Sequence, residues 1–238
     1  PFNGSDFMEP PRLDGLRREG MAFTSAYASA ANCAPSRACL LSGQCTPRHA
    51  VYAVQSTKRG PANEMRLEPV PNEVNLDPAK ITFAEAMRDA GYATGSFGKW
   101  HLGNKGGSEP MAQGFGTYFD SRFPDPNRKR DIEGDPKGLF SIAAAACNFM
   151  ETNRERPFLC YVAQHAIHTT LEARPESLRK FQAKPKGKQH GAAMYAACAY
   201  DLDASVGILL DKLKELGLEK NTLVLFTSDN GGTQQSSQ

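Results

Sequence analysis

Short apolar runs separated by helical patterns are the feature that most limits the folds open to this chain. Residues 158–163 (FLCYVA) and 222–226 (TLVLF) are apolar without alternation, as strands buried on both faces are. A longer stretch with helical periodicity precedes each run, at 138–153 and at 190–216. Strands of this kind separated by helices predict an α/β fold with a mostly parallel sheet sandwiched by helices.

Capping and turn residues indicate further elements between these runs. Thr82 and Glu85 stand three positions apart and form the pattern of a capping box. Gly43 and Gly91 are placed where glycines end helices. The resulting predictions are a helix over 11–20, a strand over 21–28, a helix over 35–43, a helix from 82 to 91 and a strand over 92–97, with long loops over 44–80 and 103–137.

Charge balance and hydropathy exclude several classes of partner. The chain has 238 residues, with 28 Lys and Arg against 26 Asp and Glu, which leaves a net charge of +2. Such a balance gives no electrostatic argument for binding nucleic acid or an acidic membrane surface. Uninterrupted apolar segments stay well short of the roughly 18 residues that a membrane span needs, so we predict no span. The six cysteines include no C-x-x-C pair, which argues against a zinc ribbon.

Polar side chains follow three of the predicted strands at the points where the strands end. The carboxyl ends of parallel strands lie at one edge of a sheet, and ligands bind beyond that edge. Basic and metal-ligating groups at three strand ends therefore predict a functional site there. They are Lys99 and His101 after 92–97, His165 and His168 after 158–163, and Asp229 and Asn230 after 222–226.

Cys33 and Arg37 form another candidate pair. Cys33 stands at the start of a predicted helix, where free N–H groups favour negative charge, and Arg37 lies one turn further on. This placement indicates a cysteine nucleophile. A buried cysteine next to a surface arginine fits the local pattern equally well.

Each cluster at a strand end also has two interpretations. Lys99 and His101 lie two positions apart, so in an extended segment their side chains face the same way and could bind an oxyanion together. The alternative is an exposed lysine beside a packed histidine. His165 and His168 are ligands or acid–base groups, unless one of them is a core histidine. The oxygens at 229–230 suit calcium or magnesium, whereas an Asx turn is the structural alternative.

Together these segments resemble the type I sulfatases. Residues 33–43 (CAPSRACLLSG) resemble the family's first signature, C-x-P-S-R-x-x-L-L-T-G, with Ser42 in place of the threonine. Residues 98–103 (GKWHLG), with 91–94 before them, resemble the second signature. Three further segments, 11–20, 166–171 and 221–232, are similar to family segments and occur in the same order along the chain. In 166–171 the family pattern is A-P-H-T-P-L, and Ile167 and Thr170 replace its two prolines.

The resemblance implies an alkaline-phosphatase-like catalytic domain that hydrolyses a sulfate ester to an alcohol and inorganic sulfate. In the family a separate formylglycine-generating enzyme oxidises the motif cysteine, here Cys33. One hydroxyl of the hydrated aldehyde, a geminal diol, attacks sulfur and releases the alcohol. The second hydroxyl then lets the sulfo-enzyme eliminate sulfate and restore the aldehyde.

The resemblance also implies roles for the other candidates. One divalent cation, calcium in the family, would be held by Asp229, Asn230 and the modified Cys33. Lys99 and His168 would bind the sulfate oxygens, and His168 would also protonate the leaving alcohol. Arg37 would stabilise the diol, and His101 would accept the proton whose removal drives sulfate release. His165 would have a structural or supporting role.

Two departures from the family pattern lead to an expectation about the extent of the chain. The family's adjacent Asp pair on its first strand has no counterpart, because no Asp-Asp occurs here. The basic residue that follows the Asp-Asn turn in the family is missing as well. We therefore expect residues 1–238 to be part of a sulfatase N-terminal catalytic domain, without its first strand and C-terminal domain. Alone, these residues should bind calcium poorly and turn over little substrate.

Substrate and location follow from the resemblance only in outline. A sulfated small molecule or sulfated carbohydrate is expected, in a periplasmic or secreted protein. The two long loops carry basic residues that could contact an anionic sugar or could simply be solvated: Arg59, Arg66, Arg128, Lys129 and Arg130. Two alternatives stay open at this point. One is a phosphonate or phosphate monoester hydrolase of the same superfamily, and the other is a non-catalytic protein that binds sulfated glycans.

Overall fold

A parallel three-stranded sheet forms the centre of the described part of the chain. The computed structural model describes residues 4–121 and 131–232, so Arg128, Lys129 and Arg130 lie outside the described residues. The strands are β1 (Ala93–Gly98), β2 (Thr117–Phe119) and β3 (Phe158–Ala163), in the order β2-β1-β3. In the register Phe97 is paired with Phe119 on one side and with Val162 on the other.

Helices surround this sheet. The described helices are α1 (Pro11–Glu19), α2 (Cys33–Ser42), α3 (Thr46–His49), α4 (Phe83–Asp89), α5 (Leu139–Thr152), α6 (Pro175–Ala183) and α7 (Ala193–Glu215), with 3₁₀ turns at Ala62–Glu64, Pro136–Gly138 and Glu219–Asn221. Thr82 and Glu85 form the predicted capping box at the start of α4. α2 begins at Cys33, two residues earlier than predicted. α3 and β2, which lie within the two predicted loops, and α6 were not predicted.

Two apolar layers cover the two faces of the sheet. On one face Ala34, Ala38 and Leu41 of α2 pack in a buried cluster with Trp100 and Phe115. On the other face Phe97 packs against Ile142, Ala146 and Phe149 of α5. Successive β3 side chains alternate between the layers, because Leu159 and Tyr161 join the first and Cys160 and Val162 the second. The predicted α/β fold, with its parallel sheet between helices, is confirmed.

Two predicted strands are wrong. Residues 21–28 form no strand, and their apolar side chains stay in solvent, with Met21 80% and Tyr27 88% exposed. The 222–226 segment packs only Val224 against the α5–α7 cluster, while Leu223 is 83% exposed. A strand needs a hydrogen-bonded neighbour, and among the described residues neither segment pairs with one.

α7 is long and apolar enough, by length and composition, to cross a membrane. In the structure it packs against α1, α5 and α6. Its buried Asp201 accepts hydrogen bonds from Arg174 and Ser177, and its buried Asp203 accepts bonds from the backbone N–H groups of Arg12 and Leu13. These contacts make α7 a packed helix of this domain.

Gly98, the last residue of β1, has no room for a side chain. Its φ is +96°, and a Cβ atom there would lie inside van der Waals contact of the Ala163 carbonyl oxygen. We expect Gly98→Ala to lower the free energy of unfolding by about 3 kcal/mol or more, because left-handed strain and overpacking add. Urea denaturation measures this loss. Gly15→Ala is the control and should be neutral or slightly stabilising, because Gly15 lies in α1 without a left-handed φ and an added Cβ would make only an ordinary contact with the Arg18 side chain, at 3.8 Å.

Candidate active site

α2 positions Cys33 and Arg37 at the carboxyl edge of the sheet. Asn32 precedes the helix with an extended backbone, and its carbonyl accepts the first helical hydrogen bond from Ser36 at 3.1 Å. Gly43 ends the helix in the left-handed conformation, with φ 64°. Most of α2 is buried, whereas Cys33 at its first position stays half-buried. The backbone therefore presents Cys33 at the accessible end of an otherwise packed helix.

Arg37 connects three distant segments. Its side chain is buried, and Nε donates to Asp229 Oδ2 over 2.8 Å. Nη1 donates to the carbonyl oxygen of Lys99 over 2.5 Å. The backbone N–H of Lys99 in turn donates to the Ala163 carbonyl at 2.7 Å, which continues the β1–β3 ladder to the strand end. The structure thus brings Cys33, Arg37, Lys99 and Asp229 to one edge of the sheet.

His101 lies within the electrostatic field of this cluster. Its burial, together with the positive charges of Lys99 and Arg37, lowers the pKa of His101, and Asp229 opposes this effect. Its backbone is left-handed, with φ 67°. Its Nδ1 atom is buried and has no hydrogen-bond partner among the described residues. The result is an imidazole that favours its neutral form and keeps a ring nitrogen able to accept a proton.

The two histidines after β3 differ in their surroundings. His165 is buried, and its Nε2 lies 2.7 Å from Asp120 Oδ1. His168 is exposed, and its Nδ1 donates to the Thr169 carbonyl at 2.6 Å. Because a carbonyl oxygen only accepts, the proton of neutral His168 sits on Nδ1, and Nε2 remains for a ligand. Within the part of the chain that the structure describes, no hydrogen bond joins His168 to the Arg37 cluster.

Asp229 and Asn230 supply hard oxygen donors. One Asp229 oxygen is held by Arg37, and Asn230 Nδ2 donates to the Gly231 carbonyl at 2.8 Å, so the second carboxylate oxygen and the amide oxygen are the candidate ligands. Calcium takes about six to eight oxygen ligands. Across residues 4–121 and 131–232 no group of three or more His, Cys, Asp or Glu could hold a metal ion. The donor chemistry of these two residues suits calcium, but two side chains are fewer donors than its coordination requires.

Two residues near the site were missed in the sequence. Burial raises the pKa of Tyr161, whose hydroxyl also senses the charges of Arg37 and Asp229. Asp120, the partner of His165, follows β2. β2 has three residues inside a segment that predicts a loop, too few to show periodicity, so Asp120 gave no sequence signal. Tyr161 lies inside an apolar run and reads as a core residue.

Curated proteins similar to this chain in sequence include sulfatases. The sequence is 31% identical to N-acetylgalactosamine-6-sulfatase of Mus musculus, covering 96% of this chain and 47% of that protein. It is 30% identical to arylsulfatase G of Homo sapiens, covering 96% and 48%. The chain therefore spans about half the length of the curated relatives it matches.

Solved structures agree with this likeness. Ps i-CgsB, crystallised with k-i-k-neocarrahexaose, superposes with a TM-score of 0.78 at 26% identity, covering 99% of this chain and 56% of that one. A phosphonate monoester hydrolase of Agrobacterium radiobacter shares the fold, with a TM-score of 0.70 at 18% identity over 98% of this chain and 62% of its own. The sequence model of the family described as Sulfatase matches residues 2–236. Since that match takes in almost the whole sequence, the chain belongs to the sulfatase family.

Proposed function

We propose that the protein containing this chain hydrolyses a sulfate ester to an alcohol and inorganic sulfate. The observation that carries the proposal is the convergence of Arg37, Lys99 and Asp229 beside the N-terminus of the helix that begins at Cys33. In this proposal Cys33 is the cysteine converted to formylglycine, and the charges of Arg37 and Asp229 support it because Arg37 lies one helical turn from Cys33. When hydrated, that group supplies the nucleophile for attack on sulfur and the leaving route for sulfate.

The guanidinium of Arg37 supplies positive charge and N–H donors next to the proposed nucleophile. A guanidinium carries five N–H donors, and Arg37 uses two of them on Asp229 and the Lys99 carbonyl, which leaves three for oxygens at position 33. The fixed carbonyl of Lys99 anchors the start of the segment that carries Lys99 and His101. Fixed donors in a partly buried site stabilise developing negative charge without reorganisation.

The remaining side chains divide binding and proton transfer between them. Lys99 and His168 bind the sulfate oxygens. With a proton on each ring nitrogen, His168 gives the Nε2 proton to the leaving oxygen and is left neutral, with its Nδ1–H still on the Thr169 carbonyl. His101, whose lowered pKa favours the neutral imidazole, accepts the proton whose removal drives sulfate release. His165 does not take part in these transfers.

Calcium would be held by Asp229, Asn230 and the modified Cys33. The bound cation would supply charge neutralisation at the sulfate group and acidify the nucleophile. Arg37 orients Asp229 for this task by holding one of its oxygens.

The substrate is a sulfated carbohydrate, with a sulfated small molecule as the alternative. Support comes from the names of the relatives, an N-acetylgalactosamine-6-sulfatase and a carrageenan-oligosaccharide complex. The generating enzyme for formylglycine is the expected protein partner. A periplasmic or secreted location is the one that the family resemblance implies.

Rates on matched esters test the bond specificity. The full reading frame, coexpressed with a formylglycine-generating enzyme, should hydrolyse 4-nitrophenyl sulfate at least about tenfold faster, in kcat/KM, than a 4-nitrophenyl phosphonate, a difference of about 1.4 kcal/mol in transition-state binding. The two substrates share a leaving group, so the ratio reports the group being transferred. A faster phosphonate reaction would show instead that the protein is a phosphonate monoester hydrolase.

A further inference from the structure

The loop that carries His168 is anchored at both ends and open in the middle. We call residues 164–174 the His168 loop. Near its start Gln164 donates to the Leu139 carbonyl at 3.3 Å. Near its end Arg174 bonds the buried Asp201 through its backbone N–H at 2.7 Å and its side-chain Nε at 2.9 Å. Residues 168–170 between these anchors are exposed.

The Asp120–His165 pair is the anchor closest to His168. Its atoms are 2.7 Å apart, and the two side chains are 0% and 4% exposed. Asp120 follows β2 and His165 follows β3, and both strands are neighbours of β1 but not of each other. The pair therefore bridges the carboxyl end of β1, the point at which Lys99 leaves the sheet. A buried carboxylate and imidazole at this distance form a charge-assisted hydrogen bond with a defined geometry.

Two further interactions transmit this geometry. The backbone N–H of His168 donates to the His165 carbonyl at 3.2 Å, so His168 projects from a turn that begins at His165. On the other side Tyr118 of β2 senses Asp120, because burial and then the charge of Asp120 raise the pKa of the Tyr118 hydroxyl. Asp120, which follows β2, therefore orients the His165 ring. The backbone carbonyl of His165 in turn holds the turn that carries His168.

We propose that Asp120 and His165 are positioning residues that hold the His168 loop so that His168 presents Nε2 to the leaving oxygen. The inference rests on the proposed function, because it assigns a purpose to a pair that supports the proposed proton donor. It predicts an effect that depends on the leaving group. An alkyl sulfate needs its alkoxide protonated as it departs, whereas 4-nitrophenolate leaves without help, so misplacement of His168 harms the alkyl ester far more.

The test compares variants in the full reading frame after the formylglycine content of each has been measured by mass spectrometry. His165→Ala should lower kcat/KM for an alkyl sulfate by about 100-fold and for 4-nitrophenyl sulfate by less than about fivefold. His165→Gln should restore most of the alkyl sulfate activity, because its amide N–H can still donate to Asp120. If His165→Ala does not fold, Asp120→Asn gives the comparison, since it removes the carboxylate charge at constant volume and should produce a smaller loss in the same direction.

His49→Gln is the matched control. His49 is also a buried histidine, bonded to Cys39 Sγ at 3.3 Å and to the Val51 N–H at 3.1 Å, and its variant should leave the ratio of the two rates unchanged. Equal losses on both esters in the His165 and Asp120 variants would overturn the positioning role. His168→Ala separates the two proposals: if it shows the leaving-group effect and the His165 variants do not, only this inference fails. Absence of that effect in His168→Ala would overturn the role of His168 as proton donor and this inference with it. Absence of any hydrolysis by the parent protein would overturn the proposed function as well.

Discussion

Cys33→Ala is expected to reduce hydrolysis of 4-nitrophenyl sulfate by at least about 10⁴-fold, because removal of a nucleophile costs up to about 10⁶-fold in kcat. Alanine cannot be converted to formylglycine, so the variant lacks the proposed oxygen nucleophile. The measurement is kcat of the full reading frame coexpressed with a formylglycine-generating enzyme. Mass spectrometry of the peptide that contains residue 33 should show the aldehyde, or its hydrate, in the parent protein only.

Cys45→Ala is the control for this experiment. Cys45 lies twelve positions further along the chain, just before α3, and is exposed. Its removal should leave kcat and the modification of Cys33 unchanged. An unmodified Cys33 thiol in a parent protein that still binds sulfated glycans would favour the non-catalytic alternative. Substantial hydrolysis by Cys33→Ala would contradict the assignment of the nucleophile outright.

Arg37→Ala is expected to lower kcat by about 10²- to 10³-fold, the usual effect of removing a donor that stabilises developing charge. It should also lower the free energy of unfolding by about 2 kcal/mol, the scale for a lost hydrogen bond to a charged group. The Lys99 carbonyl and Asp229 both lose their partner in this variant. The larger penalty of a fully buried ion pair does not apply, because the Asp229 side chain is 28% exposed and water can reach it.

Urea denaturation and steady-state kinetics measure the two effects separately. Arg37→Lys should recover part of the stability but little of the rate, because a single ammonium cannot bond Asp229 and the Lys99 carbonyl in the geometry of the planar guanidinium. Arg48→Ala is the matched control, since Arg48 is exposed on the adjacent helix α3. A fall in rate of similar size in Arg48→Ala would mean that net charge, and not the Arg37 geometry, governs activity.

Local signals in the sequence were sufficient for most helices. The capping box at Thr82 and the left-handed Gly43 are decided by bonds and torsions within a few residues, so their effect can be read without the fold. The same holds for the β3 run, which is apolar because the two covering layers bury both of its faces.

Pairing between distant segments could not be predicted in this way. The 222–226 run has the composition of a buried strand, yet strand formation depends on a neighbour that composition does not reveal. The expectation that polar residues after the strands meet at one edge of the sheet still held for Lys99 and Asp229, which Arg37 connects. That expectation depends on the direction of the chain, so it does not require the 222–226 segment to be a paired strand. Asp120 was missed because its partner His165 is reached only through the fold.

The Arg37–Asp229 bond also has a consequence for synthesis of the protein. Its two residues are 192 positions apart in the chain. A ribosome that adds about 5 to 20 residues per second takes roughly 10 to 40 s to make the intervening segment. During that interval the nascent chain can expose Cys33 while the cluster that will surround it does not yet exist. The rate of translation, and pauses before residue 229, should therefore set how long a modifying enzyme has to reach Cys33 before the site closes around it.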